Sequence, residues 1–148
     1  MSKAGIFLRP AVVEDAPALT ACIDAAYQGY RNAGIDLPPV ADGIAEDIRD
    51  NHAWVAEDAQ GIVGGAVLIV TAEAAKMANV AVHPNRAGQG IGRLLMDCVL
   101  DAAEALGHSR ITLVTHRDMP DNIALYEHLG FTVDSHDGAK IHMTRPLP

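Results

Sequence analysis

Val80-Ala81-Val82-His83-Pro84-Asn85-Arg86-Ala87-Gly88-Gln89-Gly90-Ile91-Gly92-Arg93-Leu94-Leu95 passes from a short apolar run, through glycines at every second position, into a pair of leucines. That order spells a buried strand, a glycine-rich turn and the start of a helix. Without Cβ atoms at 88, 90 and 92, successive backbone N–H groups can converge on an anion at the positive end of the following helix. The expected ligand therefore carries a phosphate or pyrophosphate. A Walker-type loop requires Gly-Lys-Ser/Thr at its end, but Gly92 is followed by Arg93 and Leu94, which argues against a nucleotide triphosphatase. The dinucleotide fingerprint requires G-x-G-x-x-G, and a leucine stands where its last glycine belongs.

A second informative block is Asp118-Met119-Pro120-Asp121-Asn122-Ile123-Ala124-Leu125-Tyr126-Glu127-His128-Leu129-Gly130-Phe131. It reads as a helix with Asp118 as its cap, Pro120 in the first turn and Gly130 as its left-handed stop. Phe131 is expected to fold back toward Leu125 and Tyr126. Asn122 and Tyr126 are four apart and share a face.

In this order and at this separation, the two blocks resemble the GNAT superfamily of N-acetyltransferases. Gly90 and Gly92 match the last fixed positions of its acyl-coenzyme-A loop, and Asn122, Tyr126, Gly130 and Phe131 match its Asn-x-x-x-Tyr…Gly-Phe signature. The chain departs from the pattern at one place: the Gln/Arg position falls on Ala87, with the arginine displaced to Arg86. The family's loop works mainly through main-chain N–H groups, so the resemblance still implies a pyrophosphate cradle over Arg86, Ala87, Gly88, Gln89, Gly90, Ile91, Gly92 and Arg93. It further implies that the backbone of Val80, Ala81 and Val82 meets the pantetheine arm in a gap between this strand and a parallel neighbour at 111–115. Asn122 would contact coenzyme A, and the Tyr126 hydroxyl would meet the departing sulfur as the catalytic group. The implied acceptor wall comprises Tyr27, Tyr30 and Arg31, then residues 35–40, then the turn at His136-Asp137-Gly138.

Composition agrees with one domain over residues 1–148. Nearly half of the residues (49%) are hydrophobic, enough to fill a single core. No charged-then-apolar leader is evident, and the longest apolar run, 62–70, is strand-sized, so the expectation is a cytoplasmic protein with no membrane partner. Cys22 and Cys98 each fall in an apolar helical stripe and read as core thiols, consistent with a reducing compartment. Net charge is −8 with scattered basic residues, which excludes a nucleic-acid surface and favours a cationic substrate such as an amine. Self-association as a homodimer is compatible with the reading. No histidine pairs with another ligand type at metal spacing, so no metal is expected.

The remaining pattern predicts a strand at 6–9, then a helix opened by Glu14-Asp15 with an apolar stripe of Leu19, Cys22, Ile23 and Ala26. A loop at 32–40 and a short helix at 41–50 follow. Strands at 53–57, 62–71 and 77–82 form a meander before the glycine loop. Beyond it, Ile91, Leu94, Leu95, Cys98, Ala102 and Leu106 form the stripe of a helix ending at Gly107, followed by the strand at 111–115. Such a crossover favours a parallel pair. A hairpin of 131–135 with 140–145 closes the chain. The fold class is α+β (mixed α/β): a GNAT-like central mixed, twisted sheet of about seven strands, flanked by about four helices, with a splayed parallel pair forming the acyl-coenzyme-A site.

The function expected from the resemblance is transfer of the acetyl group of acetyl-coenzyme A to a primary amine of a small molecule, a peptide or an exposed protein site, by direct attack. The alternative is a non-catalytic acyl-coenzyme-A-binding regulatory module, which would have no need of the tyrosine hydroxyl. Many relatives place a glutamate as base where Lys76 stands here. Glu73, His116 or a water held by Asn79 are the remaining candidates, and His83 reads as a loop residue.

Overall fold

A computed structural model describes residues 2–3, 5–35 and 43–148. The described residues form eight strands: β1 (Ser2–Lys3), β2 (Ile6–Pro10), β3 (His52–Asp58), β4 (Gly61–Val70), β5 (Ala75–Val82), β6 (Arg110–His116), β7 (Thr132–Asp137) and β8 (Lys140–Pro146). They form one mixed sheet in the order β1-β2-β3-β4-β5-β6-β8-β7. The strand beyond the expected seven is the two-residue β1. All neighbours are antiparallel except β5 and β6, which are joined by a helical crossover and run parallel.

Among the described residues, four helices cover the sheet: α1 (Ala16–Asn32), α2 (Ile44–Asp50), α3 (Ile91–Ala105) and α4 (Pro120–His128). Helix α1 packs Leu19 and Ile23 against Val55, Val67 and Ala81 on one face. On the other face, α3 packs Ile91, Leu95, Met96 and Val99 against Ala56, Ala66, Leu68 and Met77. Two consecutive glycines in β4 allow both approaches. A Cβ on Gly64 would lie 2.9 Å from the Ala81 carbonyl oxygen and 3.1 Å from Leu95, while one on Gly65 would lie 2.3 Å from Leu19. Each glycine thus lets one helix settle onto the backbone from its own side.

Several expected boundaries shift. Glu14 and Asp15 lie in a 3-10 turn (Val13–Asp15), and the helix proper starts at Ala16. There Asp15 accepts the Val12 N–H and two Arg9 donors at 2.8–2.9 Å, while Arg9 also reaches Glu57 at 2.8 Å. This knot ties β2, the start of α1 and β3 together. The second helix starts at Ile44, and residues 36–42, which include most of the expected loop and the start of the expected helix, lie outside the described residues.

The α3 stripe is rotated from the expected one. Ile91, Leu95, Met96, Val99, Leu100 and Ala103 are buried, whereas Leu106 is 50% exposed and Leu94, Cys98 and Ala102 are half-buried. Cys22 is a core thiol, with burial pushing its pKa up to about 11, but Cys98 sits on the flank of the helix rather than in the core. No helix among the described residues is long and apolar enough to cross a membrane.

Candidate active site

The parallel pair holds together at one end only. Its register comprises Ala75 with Ile111 and Lys76 with Thr112, after which β5 and β6 part. The parting coincides with an irregularity against β4, where Val67 faces Asn79 and Leu68 faces Met77, so Ala78 is an extra residue without a β4 partner. Beyond this bulge, Ala78, Asn79 and Val80 are half-buried.

The parted strands leave a cleft of about 130 Å³ lined by residues of both β5 and β6. Tyr27 of α1 reaches it from one face of the sheet, and Asn122 and Tyr126 of α4 from the other, with Met77, Ala78 and Val80 on its β5 wall. The cleft thus lies between the two strands and is bounded by elements from both hydrophobic layers.

Helix α4 brings Asn122 and Tyr126 to this wall because they are four residues apart. Its start differs from the expected one. Met119, not Asp118, occupies the cap position and makes no side-chain cap, while the Asp118 N–H donates to His116 Nδ1 at 3.0 Å. Its end follows the expected pattern. Gly130 has φ +95°, and Phe131 folds back to meet the Tyr126 ring edge-on with 6.0 Å between centroids. Burial pushes the Tyr126 phenol above its ordinary pKa, with Tyr27 and Tyr30 adding to the rise, so the hydroxyl is a proton holder at any neutral pH. Burial also raises Tyr27, whose ring lies 6.3 Å from that of Tyr30. Tyr27 lines the cleft. Tyr30 does not, and Arg31 turns back to Asp24 at 3.8 Å.

The glycine loop lies at the end of β5. Gly88 and Gly90 adopt φ +78° and +80°, and Gly90 starts α3 with no side-chain cap. Residues 87–90 are exposed, and a Cβ on Gly88 would meet nothing within 4 Å. An uncapped helix start behind an open, left-handed glycine turn suits a phosphate group. The two arginines are arranged differently from each other. Arg86 is drawn back to Asp58 and Gln60 of the β3–β4 turn, away from a purely solvated position, and Arg93 is 57% exposed with Asp97 3.4 Å away. The Arg86 pairing was not legible from spacing, since Asp58 lies 28 residues away in the chain.

Of the candidate bases, His116 lines the cleft, whereas Glu73 is exposed on the β4–β5 turn and Asn79 faces Val67 on β4. The backbone N–H on His116 Nδ1 assigns the neutral ring's proton to Nε2; the Asp118 carboxylate, at 3.7 Å, is too far to compete as a hydrogen-bond partner. Lys76 is exposed, and His83 accepts the Asn85 N–H in the loop. Among the described residues, no group of three His, Cys, Asp or Glu side chains could hold a metal ion.

Residues 49–133 match the acetyltransferase (GNAT) domain family. Mycothiol acetyltransferase of Beutenbergia cavernae is 30% identical over 95 residues, covering 57% of this chain and 32% of that protein. The [ribosomal protein bS18]-alanine N-acetyltransferase of Escherichia coli is 36% identical over 66 residues, 45% of each protein. The chain thus spans less than half the length of these curated relatives. Among solved structures, the PaiA N-acetyltransferase from Thermoplasma acidophilum in complex with coenzyme A superposes with a TM-score of 0.81 at 20% identity, covering 99% of both chains. The ribosomal-protein-S18-alanine N-acetyltransferase from Escherichia coli gives 0.79 at 22% identity, covering 96% of this chain and 94% of that one.

Proposed function

We propose, since this chain belongs to the GNAT acetyltransferase domain family, that it is an acetyl-coenzyme-A-dependent N-acetyltransferase acting on a primary amine by direct attack. The observation that carries the proposal is the cleft between β5 and β6 with the Tyr126 hydroxyl group's own ring on its wall. Acetyl-coenzyme A supplies an acetyl thioester. The glycine loop would take its pyrophosphate on the N–H groups at the start of α3, and the parted edge of β5 would take its amides. Asn122 would hold the arm against α4.

The chemistry sets three demands. A lysine-like amine of pKa about 10.4 is neutral in only about one molecule in 2,500 at pH 7, a cost of about 4.6 kcal/mol. An N–H on the β5 edge near Val80 would stabilise charge on the thioester oxygen, by roughly 2.7–4 kcal/mol for a well-placed donor. Tyr126 serves the departing sulfur. An ordinary phenol is a weaker acid than a thiol by about 1.5 units, so full proton transfer runs uphill by about 2 kcal/mol. Tyr126 therefore acts by a hydrogen bond that strengthens as charge builds on sulfur. Because His116 Nδ1 is occupied by a backbone donor, its Nε2 presents a proton and not a lone pair, and the ammonium of the acceptor gives its proton to bulk water before the neutral amine attacks.

The test is thiol release from acetyl-coenzyme A with a panel of polyamines, amino acids, aminoglycosides and peptides. Acceptor-dependent release is expected. Coenzyme binding with no release from any amine class would instead support a regulatory binding module.

A further inference from the structure

Among the described residues, the lining of the cleft has a charge opposite in sign to that of the molecule. The chain carries a net −8, yet the cleft is lined by Lys140 and His116 and by no aspartate or glutamate among the described residues. The two sit side by side on neighbouring strands: His116 ends β6, Lys140 begins β8, and they are register partners. Among the described residues, no acceptor takes the Lys140 ammonium or His116 Nε2. The ion pairs among the described residues use arginine or histidine, and none engages Lys140. Asp137 is the register partner of Lys140 on β7 but makes no ion pair with it. Asp134, further along β7, accepts the Thr144 hydroxyl. His116 offers Nε2–H, because its Nδ1 accepts the Asp118 N–H.

An ammonium beside an imidazole N–H is a receptor for a carboxylate, which accepts hydrogen bonds on two oxygens, and it repels a second cationic centre on a substrate. Resting on the acetyltransferase reading, we propose that the acceptor is a small amine that also carries a carboxylate, an amino acid in the broad sense, and that Lys140 and His116 hold that carboxylate while the amine meets the thioester. Local charge at the cleft thus selects against polyamines, although the net charge of the whole chain would attract them. Lys140 and His116 are specificity residues in this scheme.

The experiment compares ω-amino carboxylates with diamines of matched chain length, two to six carbons, as acceptors in the thiol-release assay. Rates are expressed as kcat/KM per neutral amine. The wild-type protein should favour the best carboxylate over its matched diamine by at least about tenfold, by analogy with a positioned charge-assisted pair. Lys140→Glu should lower that ratio at least tenfold, and Lys140→Arg should keep its direction. Taking the ratio within each variant cancels any change in coenzyme affinity or folded fraction. A wild-type preference for diamines, a ratio that Lys140→Glu leaves unchanged, or thiol release from neither series would overturn the inference. Stabilisation by acetyl-coenzyme A, measured in parallel by thermal unfolding, separates the two failures. If amines are acetylated without a carboxylate preference, only this inference falls; if the coenzyme neither stabilises the protein nor reacts, the acetyltransferase reading falls with it.

Discussion

At the scale of single residues, the proposed function rests most heavily on the Tyr126 hydroxyl. Its ring meets Phe131 edge-on and packs against the core while lining the cleft, so Tyr126→Phe removes an O–H group and leaves the packing. Turnover should fall by roughly ten- to a thousandfold, the usual range for one positioned proton donor, while acetyl-coenzyme A affinity stays near wild type. The measurement is kcat under conditions where chemistry is slow, with the dissociation constant determined separately; unaltered kcat would remove the tyrosine from the reaction. The pairing of Asn122 with Tyr126 was legible because four residues make one helical turn. The tie between Arg86 and Asp58 was not, because it depends on how the β3–β4 turn folds over the glycine loop.

Among elements, the glycine loop and α3 show both the reach of pattern reading and its limit. The turn was legible because alternate glycines before a leucine pair have few other uses. The buried side of α3 was misread by part of a turn. Apolar residues cover most of its circumference, from Leu94 and Cys98 on one flank to Met96 and Leu100 on the other, so periodicity leaves several faces open. Tertiary contact decides among them: Gly64 admits Leu95 and Ile91 at the sheet, and Leu106 is exposed because it lies past the last residue of α3. For the loop itself, acetyl-coenzyme A at about 100 times its dissociation constant should stabilise the fold by about 2.7 kcal/mol, or roughly 5–10 °C in Tm. Gly90→Val should abolish this shift, since a branched residue is strained at φ +80° and fills the cradle. A thermal scan with NAD and ATP as controls checks it, and equal shifts from all three would remove the specific cradle.

Across the whole molecule, the order of strands and the parallel crossover follow from the sequence of turn and helix signals, whereas the knot of Arg9, Asp15 and Glu57 joins residues that no local pattern connects. The Arg9 guanidinium, with the Val12 N–H, holds the Asp15 carboxyl below the usual carboxylate range. A group depressed in the folded state stabilises fully above its unfolded value, near 3.9, and loses that contribution as pH falls through the lower folded value. Asp15→Asn should therefore unfold at lower urea concentration than the wild type at pH 7, and the difference should shrink as pH falls below about 4. Urea midpoints at a series of pH values provide the check, and a gap that stays constant down to pH 2 would assign the loss to packing alone.

Under the proposed function, the walls of the opening between β5 and β6 bear on whether both substrates bind at once. Because they come from both layers, with Tyr27 on one side and Asn122 and Tyr126 on the other, the coenzyme and the amine would be present together. Neither Cys22 nor Cys98 lines it, so among the described residues no thiol waits there to carry the acetyl group between half-reactions. Initial velocities measured against both substrates should then give intersecting double-reciprocal lines, the signature of a ternary complex. Parallel lines would mean that the acetyl group rests on the protein first, and that the opening serves as a single shared doorway.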